Sequence, residues 1–148
     1  MDTTVVIVSY KSEHLIEQNI KSYDKNTKII IVENSQNQLL KNEMEKKYQN
    51  VEVVLNKNSG FGQAANLGAK LAKTKNIFFC SPDNFSEKDT INKLENLSND
   101  LKDKFGILIL SDENECPKNI QQVKKVKGML CFFMKKKIFL ELSGFDEK

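Results

Sequence analysis

The sequence predicts an α/β protein built on a mostly parallel sheet with helices on both faces. Three observations predict this. Short apolar runs rich in β-branched and aromatic residues recur at 3–9, 28–32, 51–55 and 77–80, with helix-patterned segments between them. The runs are continuous rather than alternating, as in strands covered on both faces. A polar loop follows the first, second and fourth runs: Ser9-Tyr10-Lys11, Glu33-Asn34-Ser35 and Ser81-Pro82-Asp83-Asn84. Parallel strands end on one edge, so the three loops should converge on one rim, where open α/β sheets bind ligands.

The elements follow in order. Residues 3–9 are the first strand, and Ser12 is the N-cap of a helix to about residue 23, with Leu15, Ile16, Asn19, Ile20 and Tyr23 on its inner side. The second strand, 28–32, leads to a more polar helix at about 38–48 that faces Leu39, Leu40, Met44 and Tyr48 inward. After the third strand, 51–55, residues 56–62 open a helix of small residues: Ala64, Ala65, Gly68, Ala69 and Ala72. Small side chains let that helix lie close to the sheet or to a ligand. In the fourth strand, Ile77 to Cys80 are apolar, and Pro82 stops the run. Ser86-Glu87-Lys88-Asp89 reads as a capping box for a helix to about residue 100. Residues 105–110 are a fifth strand, 112–122 an exposed loop, 122–134 one more strand and 136–142 a short helix. The crossovers between parallel strands should be right-handed.

Composition narrows the function classes. With 148 residues the chain can bury the core of one domain, and 39% apolar with 29% charged residues is the balance of a globular domain. A net charge of +3, with no basic stripe interleaved with aromatics, argues against a nucleic-acid partner. Lys124, Lys125, Lys127 and Lys135 to Lys137 make the last third basic. They read as a solvated face, with a membrane-surface or phosphate-facing patch as the alternative. Cys80, Cys116 and Cys131 are odd in number and lack metal-ligand spacing, so they read as reduced thiols of a cytosolic protein without a zinc site. No apolar run nears the roughly 20 residues of a membrane span. No basic stretch precedes the first apolar run, as a signal peptide would require.

Asp83 stands just past the carboxyl end of a buried strand. Mg²⁺ typically takes one or two carboxylates together with substrate phosphates. Asp83 could therefore hold a divalent cation while Glu33, on a neighbouring loop, accepts hydrogen bonds from a base or ribose. Either loop could also be plain turn chemistry. A rival reading starts from Gly60-Phe61-Gly62-Gln63-Ala64-Ala65, which fits the dinucleotide fingerprint with an acid, Asp83, about 20 residues on. Against it, Asn56 to Ser59 separate the first glycine from its strand, and the motif follows the third strand rather than the first. His14 and Lys11 read as surface residues.

Five motifs in order carry a resemblance: residues 5–11 (VVIVSYK), 30–35 (IIVENS), 58–62 (NSGFG) through Asn66-Leu67-Gly68, Ser81-Pro82-Asp83, and 143–147 (SGFDE). In this the chain resembles family 2 glycosyltransferases, and most of all their rhamnosyltransferase-like branch. The resemblance implies a Rossmann-like GT-A fold, a nucleotide-diphosphate sugar donor and Mg²⁺ or Mn²⁺. It also implies a glycan or lipid-linked acceptor and a role in cell-surface polysaccharide biosynthesis. The location implied is cytoplasmic, with peripheral contact at the inner face of the membrane as an alternative. Carried over by motif, Ser9, Tyr10, Glu33, Asn34, Gly60, Asn66 and Ser81 would bind the nucleotide. Asp83 would hold the metal, and Gly128 and Asp146 would border the sugar and the acceptor. Three departures stand out. Glu33 replaces the usual Asp, Ser81 replaces the first acid of the metal motif, and no acidic catalytic base follows Gly144-Phe145-Asp146-Glu147. The expectation is therefore one GT-A-like domain over 1–148 that lacks the C-terminal part. The expected activity is metal-assisted inverting sugar transfer. The alternatives are a nucleotide-sugar-binding module without turnover and an NAD-binding Rossmann domain.

Overall fold

The computed structural model describes residues 1–102, 104–110 and 131–147. Among these, the order is β1 (Thr3–Ser9), α1 (Glu13–Lys21), β2 (Lys28–Glu33), α2 (Gln38–Lys47), β3 (Val51–Leu55), α3 (Gly60–Leu71), β4 (Asn76–Cys80), α4 (Thr90–Leu101), β5 (Leu108–Ile109), β6 (Cys131–Lys135) and α5 (Lys136–Glu141). The strands form one sheet in the order β3-β2-β1-β4-β6-β5. β1 to β4 run parallel, and β6 is antiparallel to both β4 and β5. This is the expected fold class: a parallel core, extended on one side by an antiparallel strand.

The continuous apolar runs are explained by two buried faces. Val5, Ile7, Ile29, Ile31, Val53 and Phe78 point to one side, where Ile16, Ile20 and Tyr23 of the α1 region, Leu40 and Met44 of α2, and Ile91 and Leu94 of α4 cover them. Val6, Ile30, Val32, Ile77 and Phe79 point to the other, under Ala64, Ala65 and Ala69 of α3 and Phe139 of α5. Successive side chains of a strand alternate between faces, so only an all-apolar run can serve both.

Chain direction across the sheet decides which helix lies where. From β1 to β3 the chain steps outward one strand at a time, and α1 and α2 share a face. It then returns past β1 to add β4 on the far side, and α3 lies on the opposite face. Opposite directions placing helices on opposite faces is what right-handed crossovers require. The order reverses at β1, so the loops after β1 and β4 flank the crevice of a topological switch point.

Several local expectations are corrected. Leu39 is 80% exposed, because α2 presents residues 40 and 44 to the sheet and residue 39 lies outside that stripe. The capping box at Ser86 does not form: α4 starts at Thr90 with Asp89 at its N-cap and no side-chain cap bond. The strand expected over 105–110 is reduced, among the described residues, to Leu108–Ile109, which pairs with Phe133 and Phe132. Ser12 does occupy the N-cap of α1, but its hydroxyl donates to the Tyr10 carbonyl rather than capping the helix. Lys135 and Lys136 turn to their own chain, donating to the carbonyls of Lys102 and of Ala72, and Lys137 pairs with Glu141. The expected loop at 112–122, the strand residues 122–130, Cys116, Lys124, Lys125, Lys127 and Gly128 lie outside the described residues.

α3 lies close to the sheet because Gly68 faces it. A Cβ at Gly68 would collide with Val6 Cγ1 and lie 3.3 Å from Val32 Cγ2, both on buried strand residues. Gly68→Ala should therefore destabilise the fold by about 1–3 kcal/mol, although Ala is the better helix former. The measurement is urea denaturation, with a lowered midpoint and an unchanged slope expected.

Candidate functional site

Parallel strands bring the carboxyl ends of β1, β2 and β4 to one rim, with Ser9 directly opposite Glu33 in the register. β1 lies between β2 and β4, so the strands leading to Glu33 and Asp83 are two spacings, about 10 Å, apart.

The first three loops are sewn together by hydrogen bonds. Asn34 N–H donates to the Ser9 carbonyl at 2.8 Å, and Asn56 N–H donates to the Glu33 carbonyl at 2.9 Å. Asn56 Nδ2 donates to Asn34 Oδ1 at 2.8 Å and to Ser59 Oγ at 3.2 Å. Glu33 is 1% exposed. Its carboxylate accepts from Ser35 N–H at 3.0 Å, Ser35 Oγ at 2.6 Å and Asn37 N–H at 2.8 Å. Asn37 in turn caps α2 by accepting from Leu40 N–H at 3.0 Å. A buried carboxylate needs such donors, because burial without them is costly. Ser9 is also fully buried, yet among the described residues its hydroxyl has no hydrogen-bond partner, an unspent donor at the rim. Tyr10 is about half exposed, with the Lys11 ammonium 5.3 Å from its ring centre.

On the other side of β1, Ser81 to Asn84 form a β-turn closed by Asn84 N–H to the Ser81 carbonyl at 3.1 Å. Pro82 takes the second position, where its fixed φ suits the turn. Asp83 is exposed at the tip. Beneath the turn lie Cys80 and Cys131, directly opposite in the β4–β6 register and 3.5 Å apart at sulfur. Tyr23 donates to Cys80 Sγ at 3.2 Å. The Cys131 thiol is pushed up from its ordinary pKa by its hydrogen bond to Cys80 and by burial. The Tyr23 phenol is pushed up chiefly by burial. The Cys80 thiol is instead lowered, chiefly by its hydrogen bond from Cys131. Both cysteines are free thiols, as the sequence reading has them.

Gly60 opens α3 with φ +86°, a conformation glycine adopts readily, and the space where a Cβ would stand is open. Gly62 differs. A Cβ there would lie 3.1 Å from both Phe145 Cβ and the Asp146 carbonyl. The second glycine of the dinucleotide-like motif is thus spent on packing against the chain's own residues 145–146, not on an open phosphate cradle.

That segment is held by Asn66. After α5, Ser143 and Gly144 take φ of 65° and 71° and turn the chain back. Asn66 Oδ1 accepts from Phe145 N–H at 2.9 Å. Its Nδ2 donates to the Phe145 carbonyl at 2.9 Å and to Glu147 Oε1 at 2.8 Å. Both amide hydrogens are used within the chain. Phe145 itself packs edge-on against Phe61, Phe79, Phe132 and Phe139. Asp146 is exposed beside the first turn of α3, in an open depression of about 430 Å³ lined by Leu142 to Glu147.

The structure thus groups Ser9, Tyr10, Glu33, Asn34 and Gly60 around one side of the rim, and Ser81 with Asp83 around the other. Asn66 holds the neighbours of Asp146, Phe145 and Glu147, to α3. Sequence reasoning missed the stitching amides of Asn56 and Asn19. Asn19 did leave a signal, being a polar residue inside the apolar stripe of α1.

A three-layered α/β architecture, helices on both faces of one sheet and loops gathered at a switch point, is the class these features define. The sequence profile of glycosyl transferase family 2 matches residues 4–143. The chain belongs to glycosyl transferase family 2. Among solved structures, TarS 1–349 of S. aureus superposes with a TM-score of 0.75 at 15% identity, over 100% of this chain and 51% of that one. TarS 1–349 in complex with UDP-GlcNAc gives 0.73 at 16% identity, over 97% and 48%. A mannosyltransferase of Pyrobaculum calidifontis in complex with GDP-Man and Mn²⁺ gives 0.75 at 16% identity, over 99% and 48%. The chain therefore spans about half the length of these proteins. No curated protein sequence matches it significantly.

Asn66→Ala should free the 143–147 segment. The expected cost is about 1–3 kcal/mol in stability, as for unmade buried hydrogen bonds, with faster hydrogen exchange at the Phe145 amide. Asn66→Asp keeps the acceptor but sets an oxygen against the Phe145 carbonyl and Glu147 Oε1, so it should not restore the protection.

Proposed function

We propose that this chain binds a nucleoside-diphosphate sugar at the rim and serves transfer of the sugar to an acceptor hydroxyl on a glycan or lipid-linked molecule. The observation that carries the reading is Asp83: an exposed carboxylate on a rigid turn just past β4, beside the switch point. In support, neighbours of the same fold bind UDP-GlcNAc and GDP-Man, the latter with Mn²⁺.

The donor set suits a cation delivered with the nucleotide rather than a resident one. Among the described residues no group of three or more His, Cys, Asp or Glu could hold a metal ion. A lone exposed carboxylate nonetheless fits Mg²⁺ or Mn²⁺ whose remaining ligands are diphosphate oxygens and water. Asp83 would hold that cation, which when bound supplies charge neutralisation to the departing diphosphate.

The chain's own residues take the remaining roles. Tyr10 offers an exposed ring face to the nucleoside, and the unspent Ser9 hydroxyl a donor. Glu33 and Asn34 hold the pocket wall in shape through their bonds to residues 35, 37 and 56, and Gly60 and Ser81 border it. Asn66 fixes the segment that carries Asp146 on the acceptor side, and Gly128 belongs to the same side by motif. In an inverting displacement the acceptor oxygen bonds to the anomeric carbon as the bond to the diphosphate breaks, and the acceptor proton passes to a base. No described residue is assigned as that base. The dinucleotide reading loses its main support with Gly62, which packs on Phe145.

Calorimetry with UDP, dTDP and GDP, each with Mn²⁺, should show binding of at least one, tighter than that of NAD. Asp83→Ala should weaken the metal-dependent component by about 1.5–3 kcal/mol, the scale of a hydrogen bond to a charged group, or about 10- to 150-fold. Stability should hardly change, because an exposed tip residue has little packing to lose. Glu33→Ala should weaken nucleoside binding with and without metal. Unfolding of Asp83→Ala, or an unchanged manganese component, would remove the site from this turn.

A further inference from the structure

The turn that carries Asp83 does not orient itself. Its own hydrogen bond, Asn84 N–H to the Ser81 carbonyl, closes the bend but leaves its tilt relative to the sheet open. The Cys80 thiol beneath it reaches two of its carbonyls, Ser81 at 3.2 Å and Asn84 at 3.5 Å, and α1, more than sixty residues earlier in the chain, reaches three. Asn19 is 0% exposed and sits in the helix face that Ile16 and Ile20 press against the sheet. Its Nδ2 lies 2.7 Å from the Asn84 carbonyl oxygen, 3.1 Å from that of Ser81 and 3.2 Å from that of Pro82. Three carbonyls converging on one end of an amide identify that end as the nitrogen, since the flipped amide would set oxygen against three oxygens. Burying an amide in an apolar helix face is costly unless its hydrogens are used; here they serve this turn, with Cys80 Sγ a longer contact at 3.8 Å, while Oδ1 has no partner among the described residues. With the carbonyls of residues 81, 82 and 84 drawn inward, Asp83 is left on the solvent side.

We propose that Asn19 is the positioning residue of the site: by gathering three carbonyls of the Ser81–Asn84 turn it holds Asp83 where it can ligate a nucleotide-borne cation. Nothing in the helix pattern of α1 calls for an amide at this position, and an aliphatic residue would extend the apolar face. The proposal rests on the reading of Asp83 as the cation ligand.

The test uses Asn19→Ala and Asn19→Ser in the full chain, with Asp83→Ala alongside. Amide hydrogen exchange at residues 81–85 is read first, without metal or nucleotide. Mn²⁺-dependent affinity for UDP and GDP is read second. In both Asn19 variants we expect exchange in the turn to rise at least about tenfold while β1 and β2 keep their protection. The manganese-dependent component of affinity should fall about tenfold, on the scale of losing hydrogen bonds to the turn, with metal-free nucleotide affinity retained. An unchanged turn in a folded Asn19 variant overturns the proposal. So does a loosened turn with undiminished manganese dependence, or a loss of protection spread evenly over the sheet. If Asp83→Ala keeps the manganese component, the reading of Asp83 itself fails, and the metal role of Asn19 falls with it even where the turn has loosened. Should Asn19→Ala not fold, Asn19→Ser carries the test. The side-chain amide resonance of wild-type Asn19 adds a check, and it should shift when Mg²⁺ and UDP are added together.

Discussion

Both faces of the central sheet are buried, and this constraint governs where everything else can go. β1 and β4 have hydrogen-bonded neighbours on both sides and side chains packed above and below. No polar group can reach solvent from the middle of such a strand. Chemistry is confined to the strand ends, and parallel strands put their carboxyl ends on one edge. The reversal of strand order at β1 then separates two neighbouring loops enough to leave a crevice between them. The placement of Ser9 and Asp83 on either side of that crevice follows from the topology.

Three buried amides turn this coarse placement into fixed geometry. Asn34, itself paired with Asn56, ties the β2 loop to the β3 loop. Asn66 anchors the 145–147 segment to α3, and Asn19 gathers the turn after β4. Asn66 and Asn19 each bond a loop to a helix, and Asn34 bonds one loop to the next. Asparagine suits the task because its amide can donate, accept or do both, and carries no charge to desolvate: Asn66 does both, Asn34 accepts and Asn19 donates. Glu33 does similar work through its carboxyl oxygens, which accept from three donors.

The aromatic block on the α3 side has a complementary role. Phe79, Phe132 and Phe139 surround Phe145, which also meets Phe61 at the start of α3. Ring contacts of this kind add to the area they bury. They give the short returning segment after α5 an apolar anchor, and the Asn66 bonds give it direction. Asp146 is exposed yet stands at a defined position because of this pairing. Gly62 and Gly68 are the glycines α3 needs for close approach, one to that segment and one to the sheet.

The sequence by itself determined the strands, their two-sided burial, the crossover helices and the edge on which polar loops gather. These follow from local patterns: continuous apolar runs, Pro82 after β4, small residues along α3, and five motifs in order. It also marked Asp83 as the acid at a strand end. It misjudged Leu39 and the Ser86 box because helix phase and start depend on which residues the sheet accepts, and a six-residue stretch leaves both open. It could not show that Asn66 and Gly62 serve the 145–147 segment, or that Asn19 serves the Asp83 turn. Those partners lie some sixty to eighty residues away, and only the packed sheet brings them together. A hydrogen-bonding amide looks the same in sequence whether it faces solvent, a ligand or a distant loop. Tertiary structure decides which, because burial makes an unpaired amide costly and so leaves its neighbours to choose its partner.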